Sequence, residues 1–332
     1  MELAMAETGA FPIAVVVPFY QKKAGILTRA VRSALAQTVS QVHLVIIDDA
    51  SPVPARSELA ALLAEHPGRI TIIEQANAGP AAARNHGLRS VPAGTEFVAF
   101  LDSDDEWTEC HLDNALTALQ AGEGNDFYFS DHYQLNQTVS AFKRAGRVDV
   151  TRHPAIAGAP HLHRYAGDMF DQILMGNIIG TSTVVYRYAS FPALRFREEF
   201  VYAGEDYLFW LELSRLTSHI VFSEQVEVRY GEGVNIFSGS GWGTEKSLIR
   251  THHEMKFKHA LGKLFPLSVP QQAAADAALR TLRRSFVADV MHRLSHRAPL
   301  QPAVLRAQWR VDPRTFLYFV PLAISIVLGR RH

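Results

Sequence analysis

The sequence has few of the features that mark secreted, membrane-spanning or nucleic-acid-binding proteins. Its 332 residues include a single cysteine, Cys110, which excludes an internal disulfide framework and is typical of a reducing compartment. No apolar run reaches the roughly 18 residues of a spanning helix, and residues 1–11 lack the basic and apolar regions of a signal peptide. The 33 basic and 33 acidic residues balance, so no bulk attraction to nucleic acid is expected. We therefore expect a cytoplasmic protein.

Apolar residues make up 48% of the chain, which is enough for a sizeable core. Short apolar runs, which predict buried strands, are found at residues 13–17, 42–47, 70–73 and 97–101. Segments typical of helices lie between them, at residues 27–37, 56–65 and 79–88. Strands that alternate with helices indicate an α/β fold with a mostly parallel sheet flanked by helices. We expect Pro18 to stop the first strand.

The last of these apolar runs ends abruptly in carboxylates. Asp102, Asp104 and Asp105 follow residues 97–101 directly. Acids this close repel one another unless a cation or a set of hydrogen-bond donors compensates them. The carboxyl ends of parallel strands are where α/β proteins bind ligands, and Mg²⁺ takes carboxylate and phosphate oxygens. The pattern indicates a metal and diphosphate site, with a solvated turn that caps the next helix as the alternative.

Six segments, in order, resemble the glycosyltransferases of family 2, which have the GT-A fold. They are VVVPFY at 15–20, SALAQT at 33–38, IIDDAS at 46–51, NAGP with ARNHG at 77–87, FLDSDD at 100–105 and GEDYLFW at 204–210. The resemblance covers roughly residues 12–235. It implies a GT-A catalytic domain with a nucleotide-binding sheet over residues 1–240. Residues 241–332 then form a helical, basic C-terminal extension.

The resemblance implies a binding site for a nucleotide-sugar donor. Asp49 would accept a hydrogen bond from a uracil or guanine N–H, although an Asx turn or a helix cap also explains an acid at this position. Pro18 and Tyr20 would form the wall beside the base, with ordinary strand termination as the alternative. Arg84 would reach the diphosphate or the base, because a guanidinium suits phosphate, unless it forms a surface ion pair.

The same resemblance implies metal ligands. Asp102 would approach the ribose or the metal, and Asp104 would bind a Mn²⁺ or Mg²⁺ ion that bridges the two phosphates and neutralises charge on the leaving group. Trp107 would line the sugar or acceptor pocket, unless it anchors the core. Family members often carry a histidine in a later segment. Residues 228–238 lack it here, so the third protein ligand stays open.

The acidic pair Glu205 and Asp206 comes before an apolar helical run. By resemblance, Asp206 is the base that takes the proton of the acceptor hydroxyl in an inverting transfer, and Glu205 positions it or contacts the acceptor. Acids at a helix start also serve as caps, because they satisfy unpaired N–H groups and complement the helix dipole. The two roles are compatible.

The C-terminal part is basic and ends in an apolar block. Helices are expected at about residues 244–264 and 271–294, and residues 281–332 contain nine Arg and two Asp, a net charge of +7. The apolar residues 316–328 rise only about 20 Å as a helix, too short for a hydrocarbon core of about 30 Å. This composition is typical of peripheral attachment at the inner face of the cytoplasmic membrane. Packing on the catalytic domain or on another subunit of an oligomer is the alternative.

These features predict an inverting, metal-dependent glycosyltransferase. It would move a sugar from a UDP- or GDP-type donor to a hydroxyl of a glycan or lipid-linked acceptor, in cell-surface polysaccharide or lipid-linked glycan synthesis. A catalytically silent relative that binds a glycan or a partner is the alternative from another class. Intact Asp49, Asp104 and Asp206 argue against it. A sugar-phosphate nucleotidylyltransferase should carry a Gly-rich loop after the first strand, and residues 18–21 do not form one. No G-x-G-x-x-G run supports a Rossmann dehydrogenase.

Overall fold

The computed structural model describes residues 12–122, 124–233 and 241–329. Four parts of the sequence analysis lie outside the described residues. They are residues 1–11, where no signal peptide is expected, the end of the 228–238 segment, the predicted domain boundary at 240, and the last two arginines. The chain forms two compact units. One contains Met1–Glu198 with Asp206–Val234, and the other contains Glu199–Glu205 with Asn235–His332.

The first unit is built on a single ten-stranded sheet. Its strands are β1 Ile13–Phe19, β2 Val42–Asp48, β3 Ile70–Glu74, β4 Phe97–Phe100, β5 Glu106–Trp107, β6 Phe127–Tyr133, β7 Ala155–Ile156, β8 Ala159–Arg164, β9 Val185–Arg187 and β10 Ile220–Arg229. The order is β3-β2-β1-β4-β9-β6-β10-β8-β7, with β5 paired to β10. The strands β3, β2, β1 and β4 are parallel, and the rest of the sheet is mixed.

Pro18 does not stop the first strand, contrary to the prediction, because β1 continues to Phe19 with Pro18 opposite Ile47. Pairing of β1 with β4 ends at Val16, whose carbonyl accepts a hydrogen bond from the Leu101 N–H. On the β2 side, the carbonyl of Phe19 accepts a hydrogen bond from the Asp49 N–H. Backbone groups alternate sides along a strand, so Pro18 faces the side where β4 has already ended. Its missing N–H therefore removes no ladder hydrogen bond.

Helices flank the sheet and form the C-terminal region. Their bounds are α1 Ile26–Leu35, α2 Ala55–Glu58, α3 Ala60–Glu65, α4 Pro80–Arg89, α5 His111–Gln120, α6 Ala141–Ala145, α7 Met169–Met175, α8 Glu205–Leu216, α9 Ser247–Leu264, α10 Val269–Ser295, α11 Pro302–Val311, α12 Arg314–Leu317 and α13 Phe319–Gly329. A Cβ at Gly87 of α4 would collide with Val16 of β1, so glycine permits this close contact of helix and strand. The predicted α/β fold with flanking helices and a helical C-terminal region is confirmed.

A buried polar network joins α5 to the second half of the sheet. Glu227 of β10 is fully buried, and its carboxylate accepts hydrogen bonds from His111 Nδ1 at 2.8 Å, Asn114 Nδ2 at 2.7 Å and the Tyr128 hydroxyl at 2.6 Å. A buried carboxylate is tolerated when its oxygens are saturated with donors in this way. The network therefore determines how α5 sits on β6 and β10.

The second unit is a helical assembly with a small core of its own. Its buried apolar cluster comes from α9 and α10, and Phe316 and Phe319 pack against it. Asp312, which is 1% exposed, accepts from both Arg283 Nε at 2.6 Å and Arg283 Nη2 at 3.1 Å. This two-pronged contact holds the end of α11 against α10. Among the described residues, no helix combines the length and the apolar character that crossing a membrane requires.

Removal of the Glu227 carboxylate should destabilise the first unit strongly. In Glu227→Ala, three buried donors lose their acceptor at once, so we expect the free energy of unfolding to fall by about 3–5 kcal/mol. Glu224→Ala on the same strand is the matched control, because Glu224 is exposed and should change stability by less than about 1 kcal/mol. Urea unfolding measures both. Equal losses in the two variants would contradict the structural role of the network.

Candidate active site

The site forms where β1, β2 and β4 end. Parallel strands bring their carboxyl ends to one edge of a sheet, so the turns after β2 and β4 lie at the same edge, on either side of the end of β1. Asp48 and Asp49 leave β2, and Asp102, Asp104 and Asp105 follow β4. The structure thus brings together the acids that the sequence separates by more than fifty residues.

The two acids after β2 have different partners. Asp48 accepts from the backbone N–H of Ser51 at 2.7 Å and of Ala55 at 2.8 Å, so it organises the turn that leads into α2. Asp49 is 4% exposed and accepts from the N–H of Ala78 at 2.8 Å and of Gly79 at 2.9 Å. Gln75 also donates to Asp49, at 2.8 Å. Asp49, which the sequence predicts to contact the donor base, therefore anchors the loop that leads into α4.

Arg84 lies on α4 and forms a buried ion pair with the acidic turn. Its Nη2 is 2.7 Å from Asp102 Oδ1, and the arginine side chain is 5% exposed, against 32% for the aspartate. The alternative prediction for Arg84 was a surface ion pair. The ion pair is present, but the arginine is buried and only the aspartate is partly exposed. An arginine fixed beside a partly exposed carboxylate presents positive charge to the edge of the sheet.

Two hydrogen bonds hold the carboxylate of Asp105 below the surface. It is 4% exposed, accepts from the Ser182 hydroxyl at 2.6 Å and accepts from the Gly231 N–H at 3.1 Å. Ser182 also accepts from the N–H of Asp102 at 3.0 Å, so one hydroxyl links two acids of the turn. Burial, and then the charges of Asp102 and Asp104, raises the pKa of Asp105 well above its usual range.

Asp104 lies under the glycine-containing segment that follows β10. Burial and the neighbouring charge of Asp102 raise the pKa of Asp104 to about 6, against the effects of Arg29 and Arg84. A Cβ at Gly231 would collide with the Asp104 carbonyl, and a Cβ at Gly233 would collide with the Asp104 carboxylate. The two glycines therefore let the chain approach Asp104 more closely than any other residue type would.

Arg29 completes the surroundings of Asp104 from α1. Its Nη2 donates to the Asp104 carbonyl at 3.3 Å, and its Nε is 2.9 Å from Glu106 Oε1. Sequence reasoning missed this residue, because nothing in the pattern of α1 distinguishes Arg29 from a solvated arginine.

Asp206 is the second residue of α8, close to the same turn. Its Oδ1 accepts from the Tyr207 N–H at 2.8 Å, so the carboxylate pairs one of the N–H groups of the first helical turn. Burial raises the pKa of Asp206, while the charge of Arg84 acts in the opposite direction and that of Asp102 adds to the rise. Asp206 thus shares its electrostatic environment with Arg84 and Asp102. Glu205 is the first residue of α8.

His132 and Tyr230 form a second group that sequence reasoning missed. Their rings stack with centroids 4.8 Å apart, and Gly180 has no side chain that would displace the Tyr230 hydroxyl. Burial, and then the charges of Asp105, Asp102, Asp206 and Asp104, raises the pKa of Tyr230 well above its usual range. The phenol therefore stays protonated at neutral pH. Burial lowers the pKa of His132 to about 4, so its ring is neutral at pH 7.

The remaining predicted residues divide between the edge of the site and the core. Pro18 and Tyr20 are half-buried and flank the buried Phe19, so they share one side of the strand end. Trp107 is 6% exposed, belongs to the main hydrophobic cluster and donates from Nε1 to the Ser182 carbonyl at 2.7 Å. Trp107 thus packs in the core with its indole N–H paired inside the protein, and its contact with the sugar or the acceptor stays a prediction.

The described residues supply only part of a metal ligand set. Among residues 12–122, 124–233 and 241–329, no group of three or more His, Cys, Asp or Glu side chains is arranged to hold a metal ion. Asp102 and Asp104 supply carboxylate oxygens at the edge of the sheet. Mg²⁺ is commonly bound by one or two carboxylates together with substrate phosphates, and the donor set fits that mode.

Comparison with protein families and sequences identifies relatives of this chain. The family model described as Glycosyl transferase family 2 matches residues 14–189. The succinoglycan biosynthesis protein ExoW of Rhizobium meliloti is 36% identical over 321 residues, which cover 94% of this chain and 98% of that protein. An uncharacterized glycosyltransferase of Rickettsia conorii is 28% identical over 81% of this chain, a match that spans 41% of that protein.

Two solved structures share the fold. S. aureus TarS 1-349 in complex with UDP-GlcNAc is 17% identical, with a TM-score of 0.54 over 96% of this chain and 92% of that one. The mannosyltransferase PcManGT from Pyrobaculum calidifontis, in complex with GDP-Man and Mn²⁺, is 16% identical, with a TM-score of 0.54 over 95% of this chain and 86% of that one. The predicted GT-A fold is confirmed.

The hydroxyl of Ser182 should contribute more to stability than that of an equally buried serine elsewhere. Ser182→Ala removes a donor to Asp105 and an acceptor for the Asp102 N–H, so we expect a loss of about 1–3 kcal/mol in the free energy of unfolding. Ser130→Ala is the matched control, because the fully buried Ser130 hydroxyl has no hydrogen-bond partner in the part of the chain that the structure describes. Denaturant titration measures the free energy of unfolding of both variants. Similar losses of stability would show that Ser182 does not support the acidic turn.

Proposed function

The chain belongs to glycosyltransferase family 2, and from this premise we propose an inverting, metal-dependent transfer from a nucleotide-diphosphate sugar. The donor is of the UDP or GDP type, and the acceptor presents a hydroxyl group. The observation that carries the proposal is the grouping of Asp102, Asp104 and Asp206 with Arg84 at the carboxyl edge of a parallel sheet. Such an edge is where open α/β sheets bind nucleotides.

The donor base would lie beside the ends of β1 and β2. Pro18 and Tyr20 offer a half-buried surface there. Asp49 receives three hydrogen bonds from the 75–79 loop, and an ionised carboxylate has about four acceptor positions. We assign the remaining position to a base N–H, which uracil and guanine both possess. Asp49 would then hold both the loop and the base.

The diphosphate would lie beside Arg84 and the acidic turn. A carboxylate whose pKa is raised by burial and by a neighbouring acid favours a nearby cation, as Asp104 does. We assign Asp104 and Asp102 as the residues that hold Mn²⁺ or Mg²⁺. When bound, the ion acts as a Lewis acid that neutralises charge on the departing nucleoside diphosphate. Arg84 orients Asp102 and adds a fixed positive charge.

Asp206 is our candidate for the general base. The raised pKa of this carboxyl makes it a better proton acceptor than an ordinary aspartate, and the charge of Arg84 favours its ionised form. Asp206 would take the proton of the acceptor hydroxyl as that oxygen attacks the anomeric carbon. Glu205 would position Asp206 or contact the acceptor. Trp107, in the core, supports the turn through Ser182.

The acceptor is proposed from the setting of a relative. The R. meliloti protein that matches nearly the whole chain is described as a succinoglycan biosynthesis protein. We propose a role in cell-surface polysaccharide or lipid-linked glycan synthesis. The expected cytoplasmic location stays a prediction. A catalytically silent relative remains the competing function, and release of nucleotide from a donor in the presence of metal would exclude it.

Activity should depend on a divalent cation and on Asp104. A chelator should abolish transfer, and Mn²⁺ or Mg²⁺ should restore it. Asp104→Asn should reduce kcat/KM by about 10²-fold or more, because a preorganised charge at the leaving group is lost. Asp113→Asn, an exposed acid of α5, is the control and should behave as the unmodified protein. Full transfer in excess chelator would overturn the metal role.

Asp206→Asn should separate donor binding from turnover. Asparagine keeps the size and the capping capacity of aspartate but cannot take up a proton. We expect nearly unchanged donor affinity by calorimetry and a kcat lower by about 10²-fold or more. Glu205→Gln is the matched control, with a smaller loss. If Glu205→Gln proved the more damaging change, the assignment of the base within the pair would be wrong.

A further inference from the structure

One side of the C-terminal helices is apolar and uncovered. Leu317, Val320, Ile324 and Leu328 are 68%, 66%, 55% and 57% exposed. Val320, Ile324 and Leu328 are four residues apart and share one side of α13, and Leu317 is the last residue of α12 just before it. Soluble proteins rarely leave contiguous apolar surface of this kind exposed unless it binds something. We call these four residues the apolar stripe.

The opposite side of the same helices is already packed. Ile326 is 6% exposed, and Phe316 and Phe319 pack against the core cluster that contains Phe286. Arg284 of α10 also donates to the Ser325 carbonyl at 3.4 Å. The orientation of α13 is therefore determined by its buried side, and the apolar stripe must face outward.

Aromatic residues accompany the apolar stripe. Trp309 and Tyr318 are 52% and 55% exposed. Tyr318 directly follows Leu317 of the apolar stripe, and Trp309 contacts Phe316 on the packed side of α12, with ring centroids 5.6 Å apart. Tryptophan and tyrosine combine an apolar body with a polar tip, so they suit a boundary between water and an apolar phase.

The charge around the apolar stripe has one sign. Arg306, Arg310 and Arg314 are exposed on α11 and α12. The only acid between residues 290 and 329 is Asp312, which is buried against Arg283. Within residues 302–328 the exposed side chains thus include apolar, aromatic and positively charged groups and no exposed acid, a composition that suits the headgroups and upper acyl chains of an anionic membrane.

We propose that the apolar stripe, with Trp309, Tyr318 and the three arginines, is a face that lies on an anionic lipid bilayer without crossing it. The eleven residues of α13 rise only about 16 Å, roughly half of the hydrocarbon thickness. A second copy of the chain fits this face less well. A symmetric contact would bring the arginines of the two copies together, and residues 290–329 offer no exposed acid to pair with them. Membrane contact of this kind does not depend on the donor chemistry.

Flotation of the full chain with vesicles tests this face. Vesicles of phosphatidylcholine with 30% phosphatidylglycerol, about a third anionic lipid, should bind the protein in low salt, and binding should weaken at high salt because the charges are screened. Replacing Arg306, Arg310 and Arg314 by Gln should lower the partition coefficient by about a hundredfold, at roughly fivefold for each charge. Leu317→Ser, Val320→Ser and Ile324→Ser together should also abolish flotation. Substitution is preferable to deletion here, because Thr315 and Ile326 are buried.

Val269→Ser with Lys263→Gln is the matched control, since both residues are exposed elsewhere in the second unit. It should float as the unmodified chain does, and far-UV circular dichroism should show that every variant is folded. Absence of flotation by the unmodified chain would overturn the proposal, and a dimer that the serine variants dissociate would assign the face to a second copy. Equal, salt-insensitive binding to neutral vesicles would also overturn it. No nucleotide sugar is present, so none of these outcomes bears on the proposed transfer.

Discussion

The crowding of negative charge at one edge of the sheet is the constraint on which much of the first unit depends. Burial, together with the charge of Asp102, raises the pKa values of Asp104, Asp105 and Asp206. Without compensation, these carboxylates would repel one another or become protonated. The compensation comes from distant parts of the chain: the Arg84 guanidinium, the Ser182 hydroxyl and the Gly231 N–H. Each of these contacts links a different element to the turn after β4.

This constraint explains several residues that would otherwise look unremarkable. Gly87 lets α4 lie against β1, and that contact places Arg84 beside Asp102. Asp49 holds the loop that leads into α4. It thereby helps to fix the position of α4, and so of Arg84 in its ion pair with Asp102. Gly231 and Gly233 let the segment after β10 lie directly on Asp104. The packing of small residues and the electrostatics of the acids are thus two parts of one arrangement.

The two buried carboxylate systems of the first unit differ in a way that matches their roles. The Glu227 carboxylate accepts hydrogen bonds from three side chains and lies away from solvent, so it stabilises the fold. Asp104 retains a raised pKa and a partly open position, so its charge is only partly compensated by the protein. A carboxylate that the protein leaves undercompensated is one that a ligand can complete. The contrast supports the placement of the ligand at the β4 edge.

The alternation of apolar runs and helical segments was sufficient to predict the α/β fold, and six short segments were sufficient to predict the family. Strand periodicity and strand ends are local properties, so the amino-acid sequence alone was enough to infer the acids after β2 and β4 and their common edge. Local pattern left open whether Trp107 lies in the core, and its prediction that Pro18 ends the first strand was wrong. Pro18 lies within the strand because β4 has already ended beside it.

Long-range partners were likewise decided only by the tertiary structure. Ser182 is 77 residues from Asp105, and Gly231 is 126 residues from it, and nothing near either one in the sequence marks it as part of the site. His132 and Tyr230 stack because β6 and β10 are neighbours in the sheet. In the second unit, composition determined that the C-terminus is basic and apolar. Which side of α13 faces outward was settled by the packing of its other side on α10, because a helix with apolar residues all around has no sequence-encoded inner face.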